Sequence, residues 1–243
     1  MENLETGLRR TAPLGVFHEL HYPCRQLQDL WARFAKSPAG RTAVAAFTRK
    51  QIQSCEKERD YGRRDFLSRF MEIHLRSPEK LTEGEVFQVC LTQITAGSDT
   101  TAISLRAILY YLYRDPTKLE ALRAEISQKM ETGELSEPAT YQQMIRMPYL
   151  QAVIKEALRL HPATGLVLGR VVPPGGSTIS GRFFPAGKVV GINTWVAHAN
   201  EEIFGQDAER FRPERWLCSK EEYARLDRYF MAVSCYLIHP PTT

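Results

Sequence analysis

The chain has 243 residues, 43% of them hydrophobic and 25% charged, an ordinary globular composition with enough length for a sizeable core. Its formal charge of +4 is small for this length and the basic residues are scattered, so a nucleic-acid-binding stripe is excluded as an expectation. Five cysteines (Cys24, Cys55, Cys90, Cys218 and Cys235) stand far apart with no CxxC pair, which argues against a zinc site or disulfide framework and for a reducing compartment.

The amino-terminal stretch MENLETGLRRTAPLG has no apolar signal core, and no run of roughly 18 apolar residues occurs anywhere, so no membrane span is expected. Arg25 to Lys36 places Leu27, Leu30, Trp31 and Phe34 at helical spacing. Ser37-Pro38 and Gly40 punctuate it, and Thr42 to Arg59 reads as a second amphipathic helix. Arg63 to Leu75 reads as a short helix closed by Ser77-Pro78.

Leu81 to Asp115 then reads as one very long helix, roughly 50 Å at 1.5 Å per residue, with a polar, glycine-containing break in its middle. Thr82 with Glu85 three residues on is a capping-box signal, and Asp115-Pro116 is a stop signal. Val86, Phe87, Val89, Ile94, Ile103, Leu105, Ile108, Leu109 and Leu112 surround the helix more than they stripe it, so burial on most sides is expected. The centre, Ala96-Gly97-Ser98-Asp99-Thr100-Thr101, is rich in mediocre helix formers. A small-residue notch beside a carboxylate and two hydroxyls suits a flat cofactor and a proton path, or equally a helix crossing point with a tolerated polar patch.

Pro116 to about Met130 reads as a helix with Asp115 as its N-cap. Gly133 to Ala139 is a polar loop. Met147 to Leu160 is another well-marked helix, with Glu156 and Arg159 at i, i+3 among apolar neighbours, so partial burial of the pair is expected. Leu166 to Asn193 is rich in Val, Gly and Pro and reads as short strands at about 166–172, 177–180 and 188–193. Trp195 to Ala199 is a short helical turn, followed by Phe211-Arg212-Pro213-Glu214-Arg215-Trp216.

Three of these stretches, in this order, resemble the cytochrome P450 family. Ala96 to Thr101 matches [AG]-G-x-[DE]-T-[TS], Glu156 to Arg159 stands as E-x-x-R inside KEALRLHP, and Phe211 to Trp216 is similar to F-x-P-E-R-[FW]. The resemblance covers Leu81 to about Ala232 and implies a mainly α fold with a small β-sheet, a partial P450 fold. Residues 1–80 would hold preceding helices, 81–115 the long helix, and 116–162 the helices ending in E-x-x-R. Residues 163–194 would hold the β region, 195–232 the P-E-R-W segment, and 233–243 a tail unlike the family, all within one partial domain.

The resemblance also implies roles. Ala96 and Gly97 would leave room over a haem, Thr100 would hydrogen-bond oxygen there, and Asp99 would relay protons. Arg170 stands where members often place a cation for a haem propionate, although an edge-strand arginine in solvent fits the residues as well. Glu156, Arg159 and Arg215 would form a structural triad, since one carboxylate with two guanidiniums is satisfied when buried. The implied activity is haem-thiolate monooxygenation of a small apolar molecule, with electrons from an NADPH-cytochrome P450 reductase. The parent protein would sit at the endoplasmic reticulum membrane on its cytosolic face. The alternative reading is a non-catalytic truncated protein.

That alternative arises from the tail. Family members follow Arg-Tyr-Phe-Met-Ala with F-x-x-G-x-R-x-C-x-G, whose cysteine is the axial iron ligand. Here Arg228 to Ala232 is followed by VSCYLIHPPTT, and the ligand position falls on Pro240. Cys235 comes too early and lacks the glycines, and His239 lies in a Pro-rich terminus, so neither is expected to ligate iron. A Val-Ser pair can be encoded by GTGAGT, the form of an intron donor site. The expectation is therefore a translated intron or a gene-prediction error after Ala232, with the amino end also short by family standards.

Overall fold

The computed structural model describes residues 40–58, 65–165 and 167–232. The helix expected at Arg25–Lys36 lies outside these residues, as do Cys24, Cys235 and His239. The described chain divides within its longest helix into two units, one ending at Asp99 and the other beginning at Thr100.

In the first unit, helices α1 (Gly40–Glu58) and α2 (Phe66–Arg76) precede α3 (Glu83–Arg114). Asp65 caps α2, its carboxylate accepting from the Ser68 N–H at 2.8 Å. The predicted box at the start of α3 is present: the Glu85 carboxylate accepts from the Thr82 N–H at 2.8 Å and from its hydroxyl at 2.7 Å. Ile52, Met71 and Val86 form the buried centre of this unit, with Cys55, Phe70, Phe87 and Cys90 packed round it. The Arg49 guanidinium lies 4.6 Å over the Phe87 ring.

Helix α3 differs from expectation in two ways. It is continuous α-helix through Ala96–Thr101, with no break. On either side of that stretch, hydroxyls turn back onto the preceding turn without interrupting the helix. The Thr95 hydroxyl donates to the Leu91 carbonyl at 2.9 Å, and that of Ser104 to the Thr100 carbonyl at 2.8 Å. Nor is α3 buried on most sides: Leu105, Leu109, Tyr110 and Tyr113 are exposed. An apolar ring round a helix stays dry only where a partner surface meets it, and the buried residues of α3 cluster towards its ends and near Ala107. No helix among the described residues is long and apolar enough to cross a membrane.

In the second unit, α4 (Pro116–Glu131), the short α5 (Tyr141–Met144) and α6 (Pro148–Leu160) follow α3. Asp115 is the N-cap of α4 as predicted, accepting from the Thr117 N–H at 3.1 Å. Leu112, Leu122 and Val153 are the buried centre where α3, α4 and α6 meet. The β region holds two separate two-stranded antiparallel sheets rather than one. Strand β1 (Arg170–Val171) pairs with β4 (Val189–Val190), with Arg170 opposite Val190. Strand β2 (Ser177–Ile179) pairs with β3 (Arg182–Phe184), with Thr178 opposite Phe183.

Ahead of the β2–β3 hairpin, Gly176 has φ +79° and a Cβ there would lie 2.4 Å from Phe183 Cζ and 2.9 Å from the Phe184 carbonyl oxygen. Gly175 has φ +93° but open space around its Cβ position. Gly175→Ala is therefore expected to cost about 1–2 kcal/mol for the left-handed backbone alone. Gly176→Ala should cost more, and the difference in urea midpoint between the two variants isolates the steric part.

Helices α7 (Thr194–His198) and α8 (Glu201–Phe204), a 3-10 turn (Pro213–Trp216) and α9 (Lys220–Arg228) complete the unit. Asn193 and Asn200 cap α7 and α8, and Ser219 caps α9. Their apolar residues join a second buried cluster of Ala152, Phe204, Ala208, Trp216 and Leu226. Helix α6 thus has Ala152 in one cluster and Val153 in the other, and a side chain between them is shut off from water on both sides.

Candidate functional site

Helix α6 has no side-chain cap of its own at Met147, and Pro148 opens it. Its free amides are met from outside. The two carboxylate oxygens of Glu125 on α4 accept from the N–H groups of Tyr149 at 2.8 Å and Leu150 at 2.9 Å. A carboxylate at a helix amino terminus also complements the macrodipole, so α4 and α6 are joined electrostatically as well as by packing.

The buried face of α6 carries Ala152, Val153, Glu156, Ala157 and Arg159. Glu156 is fully buried, and its carboxylate is surrounded by donors. Oε1 accepts from Arg159 Nη2 at 2.8 Å, the Arg212 N–H at 3.2 Å and Arg215 Nε at 3.3 Å. Oε2 accepts from Arg159 Nε and Trp216 Nε1, both at 2.9 Å. The Arg159 fork is bidentate, the geometry that makes a buried carboxylate–guanidinium pair strong.

The arginines spend their remaining donors on backbone carbonyls and, for Arg215, on the Asp207 carboxylate as well. Arg159 Nη1 donates to the His198 carbonyl at 2.6 Å, and Nη2 reaches the Arg210 carbonyl at 3.4 Å. Arg215 Nη1 donates to the Phe204 carbonyl and, at 3.0 Å, to Asp207 Oδ1, while Nη2 donates to the Asp207 carbonyl at 3.0 Å. Asp207 also pairs with Arg212 at 3.0 Å. Burial pushes the Asp207 carboxyl up, but the Arg215 hydrogen bond and the charges of Arg215 and Arg212 hold it below its ordinary value. The carboxylates of Glu156 and Asp207 thus face the guanidiniums of Arg159 and Arg215, so neither buried cation lacks a counter-charge.

The structure therefore brings Glu156, Arg159 and Arg215 together. They join the end of α6 to the 3-10 turn and to the carbonyls of His198 and Phe204, the last residues of α7 and α8. Ala96, Gly97, Asp99 and Thr100 lie along one side of α3, with Asp99 half-buried and the other three exposed. A Cβ placed on Gly97 would meet nothing within 4 Å. The Arg170 guanidinium turns back on its own strand, donating to the carbonyls of Leu168 at 3.2 Å and Gly169 at 3.0 Å.

A family model described as Cytochrome P450 matches residues 26–234. The chain belongs to the cytochrome P450 family. It is 41% identical over 195 residues to a "Cytochrome P450 monooxygenase" of Aspergillus terreus, covering 79% of this chain and 39% of that protein. It is 49% identical over 160 residues to a "Pisatin demethylase" of Fusarium vanettenii, covering 66% of this chain and 30% of that protein. Over 184 residues it is 40% identical to a cytochrome P450 monooxygenase of Aspergillus fumigatus, covering 76% of this chain and 51% of that protein. The chain thus spans between about a third and a half of the relatives it matches.

Membership of the P450 family implies a haem cofactor. Ala96 and Gly97 are small residues on α3, and the Arg170 guanidinium is turned onto the carbonyls of Leu168 and Gly169. No described group of His, Cys, Asp and Glu side chains could hold a metal ion. At Cys90, burial pushes the thiol up, as do the negative potentials of Asp65 and Cys55, the reverse of what a thiolate ligand requires. No reaction step through the iron follows from these residues.

Four contributors to the site were not read from the sequence. Glu125, Asp207 and His198 reach it from other helices or loops, and no short-range pattern marks them. Trp216 was legible as part of P-E-R-W, but not as a donor to Glu156.

Proposed function

We propose that this chain is part of a haem-thiolate monooxygenase that oxidises a small apolar molecule with dioxygen and electrons from a separate NADPH-dependent reductase. The observation that carries the reading is the buried Glu156 carboxylate with Arg159, Arg215 and Trp216 as donors, in a chain of the P450 family. Glu156, Arg159 and Arg215 act as a structural lock and touch no reactant. When haem is bound, Ala96 and Gly97 would leave room over it, and Arg170 would supply a cation for one of its propionates. Asp99 would relay protons, and the Thr100 hydroxyl would hydrogen-bond oxygen. Haem, when bound, supplies the oxygen chemistry. Demethylation, named in the Fusarium relative, falls within this reading. The parent protein works at the cytosolic face of the endoplasmic reticulum membrane.

A second reading is favoured by the residues after Ala232, where Val233 to Thr243 contains no F-x-x-G-x-R-x-C-x-G loop. On that reading these 243 residues build the lock without binding iron through a thiolate. The CO difference spectrum of the reduced, haem-supplemented polypeptide separates the two. A red-shifted Soret band is expected from any form of the protein that carries the cysteine loop. Its absence from the 243-residue chain, with helical content intact, supports the second reading. Transcript sequencing across the Ala232 codon then decides whether a form with the loop is made.

A further inference from the structure

Residues 229–232 follow α9 and belong to no helix or strand, yet Phe230 and Met231 are half-buried and Ala232 is buried. Something other than a backbone ladder must hold them. The contacts converge on His198, which is 2% exposed. Its Nδ1 lies 2.8 Å from the Arg159 carbonyl oxygen, and its Nε2 lies 2.9 Å from the Met231 amide nitrogen. The imidazole stacks on Phe230 with ring centres 5.6 Å apart and planes at 5°. On its other contacts Phe230 meets the edge of Trp216 at 5.5 Å and Lys155 Nζ at 5.4 Å.

The partners dictate the protonation state. A carbonyl oxygen only accepts, so Nδ1 must carry a proton. A backbone N–H only donates, so Nε2 must be bare. A second proton would set two N–H groups against each other.

We propose that His198 is a positioning residue whose neutral, Nδ1-protonated imidazole ties Met231 and Phe230 to the last turn of α6, fixing the direction in which the chain leaves the Glu156–Arg159–Arg215 lock. The inference goes beyond the haem reading and stands without it. Trp216 serves both assemblies, donating to Glu156 and packing on Phe230, so lock and clamp share one side chain.

Two measurements on the 243-residue chain test it. In long-range proton–nitrogen spectra at pH 6, one imidazole, assigned by its loss in His198→Gln, is expected to show a protonated Nδ1 and a bare Nε2. An imidazolium, or a proton on Nε2, overturns the proposal. The second is amide exchange at Met231. It should be at least about tenfold faster in His198→Ala than in the unaltered chain, since each 1.4 kcal/mol of lost protection is tenfold. His198→Gln, whose side-chain oxygen reaches the Nε2 position, should recover most of the protection. Equal exchange in all three chains overturns the clamp. A CO spectrum of either outcome is unaffected in meaning, because it reports on iron and not on Met231.

Discussion

Glu156→Ala is expected to cost about 3–5 kcal/mol in folding free energy, the usual penalty for leaving a buried charge without its partner. That is a large share of the roughly 5–15 kcal/mol that holds an ordinary domain together, so variant protein should be largely insoluble or unfolded at 37 °C. The donors set the size of the effect: Arg159, Arg215, the Arg212 amide and Trp216 all point at one carboxylate. Removing it leaves Arg159 with its charge enclosed at 1% exposure. Glu156→Gln tests charge against volume. It keeps the shape but turns an amide NH2 towards groups that are all donors, so it should be nearly as damaging as Ala. An exposed ion pair would respond quite differently, with both variants within about 1 kcal/mol of the parent. Urea unfolding followed by far-ultraviolet circular dichroism reads the difference, and two near-neutral variants would sink the buried-lock argument. Replacing Glu156, Arg159 and Arg215 together by apolar residues of similar volume should recover part of the loss, because no charge is then stranded.

What the sequence disclosed follows from the range of each signal. The E-x-x-R pair is two positions on one helix face, so periodicity alone placed Glu156 beside Arg159. The P-E-R-W segment required the family resemblance, since nothing local says that Arg215 turns back to α6. Glu125 capping α6, Asp207 bracing Arg215 and His198 under Phe230 are contacts between distant segments, and residue type gives no hint of them. Some misses were legible. Thr140 with Gln143 and Ser219 with Glu222 have capping-box spacing, and helices α5 and α9 begin there. Ser180-Gly181 is a two-residue turn signal, which would have paired β2 with β3. Helix α3 shows the opposite limit. Its apolar positions were read correctly, but periodicity states which faces can be buried, not whether a partner covers them.

Acidification is expected to weaken the second unit well before its carboxylates are neutralised. Burial, the largest cause, pushes the His198 imidazole from its ordinary 6.5 down to about 4. The Arg159 charge pushes the same way, while the Arg159 carbonyl and the Glu156 charge oppose it. The remaining faces are the Phe204 and Phe230 rings and the Met231 amide, none of which titrates here. With the folded value depressed, the unfolded chain binds the proton first. Stability is therefore fully present above pH 6.5, falls as pH drops, and reaches its floor near pH 4, a loss of about 3 kcal/mol at about 1.36 kcal/mol per unit. Asp207 and Glu214 are held below their ordinary values of 3.8 and 4.5, so their contribution is lost only at lower pH. Between about pH 6.5 and 5 the loss from His198 therefore comes before theirs, and His198→Gln separates it from every other group. Urea titrations across that range should give a slope near one proton in the unaltered chain, and that slope should be absent from His198→Gln. A flat profile in the unaltered chain would mean that the imidazole gains its proton inside the fold, which the Met231 N–H facing Nε2 forbids.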